Sequence, residues 1–149
     1  MTFKQKVYFY YLQMIEERVN SIQKVLTDLK ESAGNETKST AGDKHEVGLA
    51  MLQIEQANTG SQLEDALNKR NALKMIDPDI SSDFVINGSL IKTNNGYLFL
   101  STALGKAEVD SEKIIALSPQ SPLGQKLLGR KIGERVEINK TEYIIESIL

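Results

Sequence analysis

Between Leu12 and Ala33 apolar residues return at alternating intervals of three and four: Leu12, Ile15, Val19, Ile22, Leu26, Leu29 and Ala33. A spacing that averages 3.5 residues keeps one narrow stripe on the same side of an α-helix, here for about three heptads. Tyr8 extends the stripe by a turn. This is a coiled-coil seam, and it commits the first quarter of the chain to a long helix with a second helix lying along it.

The partner helix is expected within the chain. Gly34 reads as the end of the first helix, and residues 35–40 (NETKST) read as a loop. A second helical stretch starts near Asp43, with Val47, Met51, Ile54 and Ala57, then Leu63, Leu67 and Leu73, as its apolar face. Gly48 and Gly60 lie inside it, each costing roughly 1 kcal/mol against alanine, so this helix depends on its neighbour. A short loop between two helices of similar length gives an antiparallel hairpin. About 30 residues at 1.5 Å each make an arm of roughly 45 Å, too long to lie against the remaining sequence, so the arm is expected to project.

Composition removes several classes of function. The chain has 149 residues, no cysteine and one histidine, His45. A disulfide scaffold, a thiolate nucleophile and a cysteine-based zinc site are excluded, and a Ser-His-Asp triad is disfavoured. A net charge of −2 argues against sequence-independent DNA binding, which needs a basic footprint. No run of about 18 apolar residues suggests a membrane span, and residues 1–20 do not read as a signal peptide, so a cytoplasmic location is expected.

The character of the sequence changes near Pro78, before which there is no proline. Residues 75–83 (MIDPDISSD) are polar and carry a helix-stopping proline, which marks a linker. Beyond it, residues 84–93, 96–102, 112–118, 134–139 and 142–149 are β-branched or aromatic runs and are expected to form strands. Asn94-Asn95-Gly96 is a hairpin signal, and Asn139-Lys140 a weaker one. Between the third and fourth runs, Pro122 can open a short helix and Gly129 can close it. A small twisted antiparallel sheet with one helix packed on it follows.

Residues 121–133 (SPLGQKLLGRKIG), the Glu-Arg-Val-Glu-Ile that follows them and the Ile114-Ile115-Ala116-Leu117-Ser118 run before them resemble the C-terminal domain of the Gre transcript-cleavage factors. Those domains carry a Ser-Pro, a short Leu-Leu-Gly-Lys helix, a Gly-Asp and a final hairpin. The resemblance implies an α+β chain: an antiparallel two-helix coiled-coil arm over residues 1–76, a linker over 77–82 and a small FKBP-like antiparallel β domain with one short helix over 83–149. The tip of the arm is expected near residues 34–46.

The same resemblance implies a function. Gre factors bind bacterial RNA polymerase, dock their globular domain on the rim of its secondary channel and place acidic residues from the arm beside the catalytic magnesium. The polymerase then hydrolyses backtracked RNA. The chain would be an accessory factor and not itself an enzyme, a monomer in indirect contact with nascent RNA, with no stable DNA binding and no membrane association. No tightly bound cofactor is implied, only magnesium shared with the polymerase. A pair of carboxylates suits that task, because hard oxygen donors hold magnesium.

Two acidic pairs compete for the tip. Asp28-Leu29-Lys30-Glu31-Ser32-Ala33 follows the Gre signature Asp-Leu-Lys-Glu-Asn-Ala almost letter for letter, whereas Gly42-Asp43-Lys44-His45-Glu46 matches more loosely. Register favours the second pair. Asp28 lies about a turn and a half before Gly34, inside the seam helix, while Asp43 and Glu46 open the second helix. Asp43 and Glu46 are therefore the expected metal-facing pair, and Asp28 and Glu31 the runner-up. Asp43 and Glu46 also fit a capping box, with Asp43 before the first turn. Ser121, Pro122 and Leu123 are expected at the polymerase dock, and His45 at a polymerase or RNA contact.

Gre tips continue with Asn-Ala-Glu-Tyr where this chain has Val47-Gly48-Leu49-Ala50, and the loop before Asp43 is longer and richer in Ser and Thr. This departure points to the alternative of a non-cleaving channel regulator, Rnk-like or anti-Gre. Further alternatives are a coiled-coil interaction module that dimerises without polymerase, and a prolyl isomerase. The last is opposed by the lack of tryptophan and by only Phe84, Tyr97, Phe99 and Tyr143 as aromatics in that half.

Overall fold

The computed structural model describes the backbone of residues 1–37 and 42–149 and the side chains of 1–35 and 46–149. Helix α1 spans Phe3–Thr37 and α2 spans Gly42–Lys74. Thr2 opens α1 with a reciprocal cap: its Oγ1 accepts the Gln5 N–H at 3.1 Å, and the Gln5 side-chain oxygen accepts the Thr2 N–H at 2.8 Å. Gly34 does not end α1 as expected. A glycine that closes a helix takes a positive φ, and Gly34 is not among the positive-φ residues, so the helix runs on to Thr37.

By their internal contacts the residues form two compact units, Met14–Asn68 and Met1–Gln13 together with Lys69–Leu149. The first is the helical hairpin. On α1 the stripe read from the sequence is the inward one: Ile15 and Val19 are buried, and Ile22, Leu26, Leu29 and Ala33 are half-buried. On α2 the expected face is inward only in its second part, where Leu63 and Leu67 are half-buried and Leu73 is buried. The shielded positions are Leu49, Leu52, Gln56, Thr59, Leu63 and Ala66, whereas Val47, Met51 and Ile54 are each 61% exposed. Both sets keep three-four spacing at first. Strict three-four spacing from Val47 runs into Asn58, Ser61, Asp65 and Asn68, so the expected face reaches Leu63 only by a six-residue step from Ala57, whereas the set begun at Leu49 reaches Leu63 and Ala66 in phase. The Gln56 amide donates to the Leu29 carbonyl at 3.2 Å, pairing the two helices in antiparallel register.

The second unit is built on a six-stranded sheet of order β3-β4-β2-β1-β6-β5. Its strands are β1 (Leu90–Thr93), β2 (Gly96–Leu100), β3 (Gly105–Val109), β4 (Glu112–Leu117), β5 (Arg135–Ile138) and β6 (Thr141–Ile148), with helix α3 (Pro122–Leu127) between β4 and β5. Four of the five pairings are antiparallel, and β2 with β4 is parallel. The expected antiparallel sheet is thus a mixed one. The cause is β3, which the sequence reading left out. After β2 the chain skips one position and lays β3 at the edge. It then reverses through Asp110-Ser111, both at positive φ, and fills the gap with β4, which must run parallel to β2. The expected strand over 84–93 begins only at Leu90; before it, Phe84 makes a single bridge to Lys131, and Gly88 sits at φ +96°.

Side chains alternate between the two faces of the sheet. On one face Ile91, Leu98, Leu100, Leu117 and Ile145 pack with Val85, Leu127 and Val136 into the core, and Leu123 of α3 lies against it. The other face carries Tyr97 and Phe99, which meet Phe3 and Tyr11 of α1 with ring centroids 4.9 and 6.1 Å apart. Tyr11 is fully buried, and its hydroxyl donates to the Gly105 carbonyl at 2.8 Å. Lys4 Nζ donates to the Ile80 carbonyl at 2.6 Å, tying the linker to the first turn of α1.

Candidate functional site

The candidate residues lie at two places. In the hairpin, α2 begins at Gly42, so Asp43 stands in its first turn instead of before it. An acidic residue there suits the positive end of the helix dipole. The side chains of Asp43 and His45 lie outside the described residues. Glu46 is exposed. Asp28 and Glu31 are also exposed. Because α1 runs to Thr37, Asp28 lies nine residues, about 13 Å of helix rise, before its end. Among the described residues no three His, Asp or Glu side chains converge to hold a metal ion.

The second place is the entry to α3, where the fold brings Ser121, Pro122 and Leu123 together. Ser121 is the N-cap: its Oγ accepts the Gly124 N–H at 3.0 Å and donates to the Ser118 carbonyl at 2.6 Å. Pro122 follows in the first helical position, where its missing N–H costs nothing. Lys126 donates from Nζ to the Glu137 carbonyl at 2.7 Å, fastening α3 to β5. The turn is so tight that a Cβ on Gly124 would collide with the Ser118 carbonyl oxygen and come within 2.9 Å of Ser121 Oγ.

Ser121, Pro122 and Leu123 form one wall of an open, largely apolar groove of about 320 Å³, completed by Leu98, Ile115, Ile138 and Tyr143 among others. Of the groove residues outside α3, the sequence marks Ile115 and Leu117 only as part of the Gre-like run, and it does not place them beside Leu98, Ile138 and Tyr143. Leu98, Ile115, Ile138 and Tyr143 come from four strands, which only the folded sheet brings together. Among the described residues, the titratable groups with shifted pKa values, Lys4, Tyr8 and Tyr11, lie elsewhere, at the start of α1. Burial raises the Tyr11 phenol well above its usual range. Burial lowers the Lys4 ammonium, against the opposing pull of Asp77 and Asp79. Tyr11 and Lys4 hold the sheet and the linker to α1, which is a structural role.

Among the described residues no helix is long and apolar enough to cross a membrane. Residues 81–148 match the family model described as "Transcription elongation factor, GreA/GreB, C-term". The chain is 34% identical over 92 residues to transcription elongation factor GreA of Alkaliphilus oremlandii, a match that covers 56% of this chain. The matched part spans 57% of that relative's length. A solved structure of the transcription factor Gfh1 aligns over 95% of this chain and 90% of its own, at 19% identity and a TM-score of 0.32. The sheet with its capped helix α3 is therefore similar, over residues 81–148, to the C-terminal domain of the GreA/GreB transcription elongation factors.

Proposed function

We propose that the chain is a transcription elongation factor of the GreA/GreB type, which binds bacterial RNA polymerase at its secondary channel and promotes cleavage of backtracked RNA. The observation that carries this reading is the GreA/GreB match over residues 81–148, preceded by a hairpin of two helices of 35 and 33 residues. The α3 entry, with Ser121, Pro122 and Leu123 beside an apolar groove, is the polymerase-docking element of this reading. Asp43 and Glu46 are its acidic pair, with His45 between them as a further contact. The chain acts as an accessory to the polymerase's own hydrolysis and is a monomer in the cytoplasm.

Magnesium, when bound in the complex, supplies Lewis-acid stabilisation of the phosphodiester and a metal-held water. Glu46 offers an exposed carboxylate, a hard donor that fits such an ion. A short acidic segment provides too few ligands for a cage of its own, so the polymerase must complete the shell. The chain's part is to hold the carboxylates on a helix, where their freedom is small.

The test is magnesium-dependent RNA cleavage in a backtracked elongation complex. Wild type is compared with Asp43→Asn/Glu46→Gln and with Asp28→Asn/Glu31→Gln. Loss of cleavage, by tenfold or more, in the first pair alone is the expected result. Loss only in the second pair moves the role to Asp28 and Glu31. A second reading, a channel binder that does not cleave, is favoured by Val47-Gly48-Leu49-Ala50 following the acidic pair. It is identified by competition with a cleaving Gre factor in the absence of cleavage. Absence of both cleavage and competition overturns the polymerase reading.

A further inference from the structure

Val47, Met51 and Ile54 stand on α2 at intervals of four and three residues, and each leaves 61% of its surface in solvent. That spacing aligns them along two turns of helix, away from Leu49 and Leu52, which face inward. Single exposed apolar side chains are ordinary; three in line form a patch. Their exposed neighbours Ala50, Ala57 and Asn58 are uncharged. From Val47 to Leu63 the only charged residue is Glu55, whereas residues 16–31 of α1 carry seven. The two helices of the hairpin therefore present different surfaces, one charged and one neutral and apolar.

These features define the occupant. There is no Lys or Arg from Val47 to Asn68, which excludes the phosphates of nucleic acid and the headgroups of an anionic membrane. Depletion of charge around exposed apolar side chains marks the centre of a protein interface. The nearest exposed charges, Glu46 before the strip and Glu55 beyond it, call for Lys or Arg on the rim of the opposing surface. At about 100 Å² per side chain, the strip supplies on the order of 200 Å² at this exposure. A stable complex buries ~800 Å² per partner. The strip is too small to join two copies of the chain by itself and suits a partner that grips the chain elsewhere as well.

We propose that Val47, Met51 and Ile54 form a docking strip for an apolar protein surface rimmed by Lys or Arg, which, resting on the function proposed above, the polymerase supplies.

The test uses the full chain and measures its dissociation constant for RNA polymerase by fluorescence titration. Met51→Glu/Ile54→Glu is expected to weaken binding about tenfold or more, equivalent to ~1.4 kcal/mol. Met51→Leu/Ile54→Leu, and Val25→Glu at the exposed apolar residue of α1, are expected within twofold of wild type. Circular dichroism checks that helix content is kept. Should the glutamates melt the hairpin, Met51→Ala/Ile54→Ala, which keeps helix propensity, is expected to weaken binding threefold or more. Unchanged affinity in both double variants, with wild type bound, overturns the strip and leaves the polymerase reading standing. Failure of the wild type to bind overturns the polymerase reading and the occupant named here with it. Sedimentation that shows a wild-type dimer dissolved by the double variant assigns the strip to a second copy and also overturns the proposal.

Discussion

Gly124→Ala adds a single methyl group, and the structure makes its cost large. Gly124 sits in the first turn of α3, and a Cβ there would overlap the Ser118 carbonyl oxygen. That oxygen is fixed twice, by the Ser121 hydroxyl at 2.6 Å and by the Ser121 N–H at 3.1 Å. The methyl also approaches Ser121 Oγ to 2.9 Å, the atom that accepts the Gly124 N–H. Relieving the overlap means displacing the Ser118 carbonyl, the cap or both. Each hydrogen bond lost is worth about 1 kcal/mol, and loss of an N-cap costs about the same. A destabilisation of about 3 kcal/mol is expected, at the upper end of overpacking by one methyl group. For a unit of this size each kcal/mol shifts Tm by about 4–8 °C, so Tm should fall by roughly 12–24 °C. The assay is thermal unfolding followed by near-ultraviolet circular dichroism of the tyrosines, which reports on the sheet unit. A fall of less than about 1 kcal/mol would refute the reasoning, because it would mean that the Ser118 carbonyl is free to move.

The same substitution at Gly60 should have the opposite sign. Gly60 lies within α2, and nothing stands within 4 Å of the Cβ it would gain; Gly60→Ala is expected to stabilise the hairpin by ~1 kcal/mol, read as higher helix content and a later far-ultraviolet transition on heating. Tyr11→Phe should cost about 1–2 kcal/mol at neutral pH, because the Gly105 carbonyl loses its donor. Burial raises the Tyr11 phenol above its ordinary 10.0, so its stabilising share is full below pH 10 and is lost as pH climbs towards the folded-state value. Wild type should therefore lose stability steadily above pH 10 in denaturant titrations. Tyr11→Phe should show a shallower decline, with the remainder traceable to Tyr8, whose phenol is also raised. An equally steep decline in the variant contradicts this account.

The legible parts of the sequence were those governed by short-range periodicity. The α1 stripe from Leu12 to Ala33 is the inward face in the structure because seven apolar residues share one phase and nothing competes. The Asn139-Lys140 turn is present, with both residues at positive φ. The entry to α3 is present too, because Ser121-Pro122 fixes the cap from sequence alone. Strand β3 was not legible. Gly105-Lys106-Ala107-Glu108-Val109 has too little apolar alternation to stand out, since an edge strand is stabilised by its ladder to β4 and tolerates charge on its open side. Asp110-Ser111 takes the same two-residue positive-φ geometry as Asn139-Lys140 without the glycine that usually announces it. With β3 unseen, the parallel pairing of β2 with β4 could not be anticipated, because it exists only through that detour.

The mis-phased α2 stripe carries a different lesson. Hydrophobicity alone favours Val47, Met51 and Ile54 as a buried face, and over two turns nothing contradicts it. The phase is settled farther along by Leu63 and Ala66, which the Leu49 set reaches in unbroken three-four spacing and the Val47 set does not. The chosen seam includes Gln56 and Thr59 at half-buried positions, and Gly60 stands beside them. On the facing helix burial declines in step, from Ile15 and Val19 at 0% and 1% exposed to half-buried Ile22, Leu26 and Leu29. Fewer buried contacts mean a lower free energy of local opening, so the half of the hairpin that holds the acidic pairs is the half least stabilised by its own seam. The apolar surface that would have strengthened it is instead displayed outward on α2. A partner that covers Val47, Met51 and Ile54 would add stability where the hairpin is weakest and hold Glu46, one residue before the strip, on an ordered helix. Docking and ordering are then one event, and amide exchange in residues 47–60 should slow on binding more than in residues 14–22, which are already protected by their own packing.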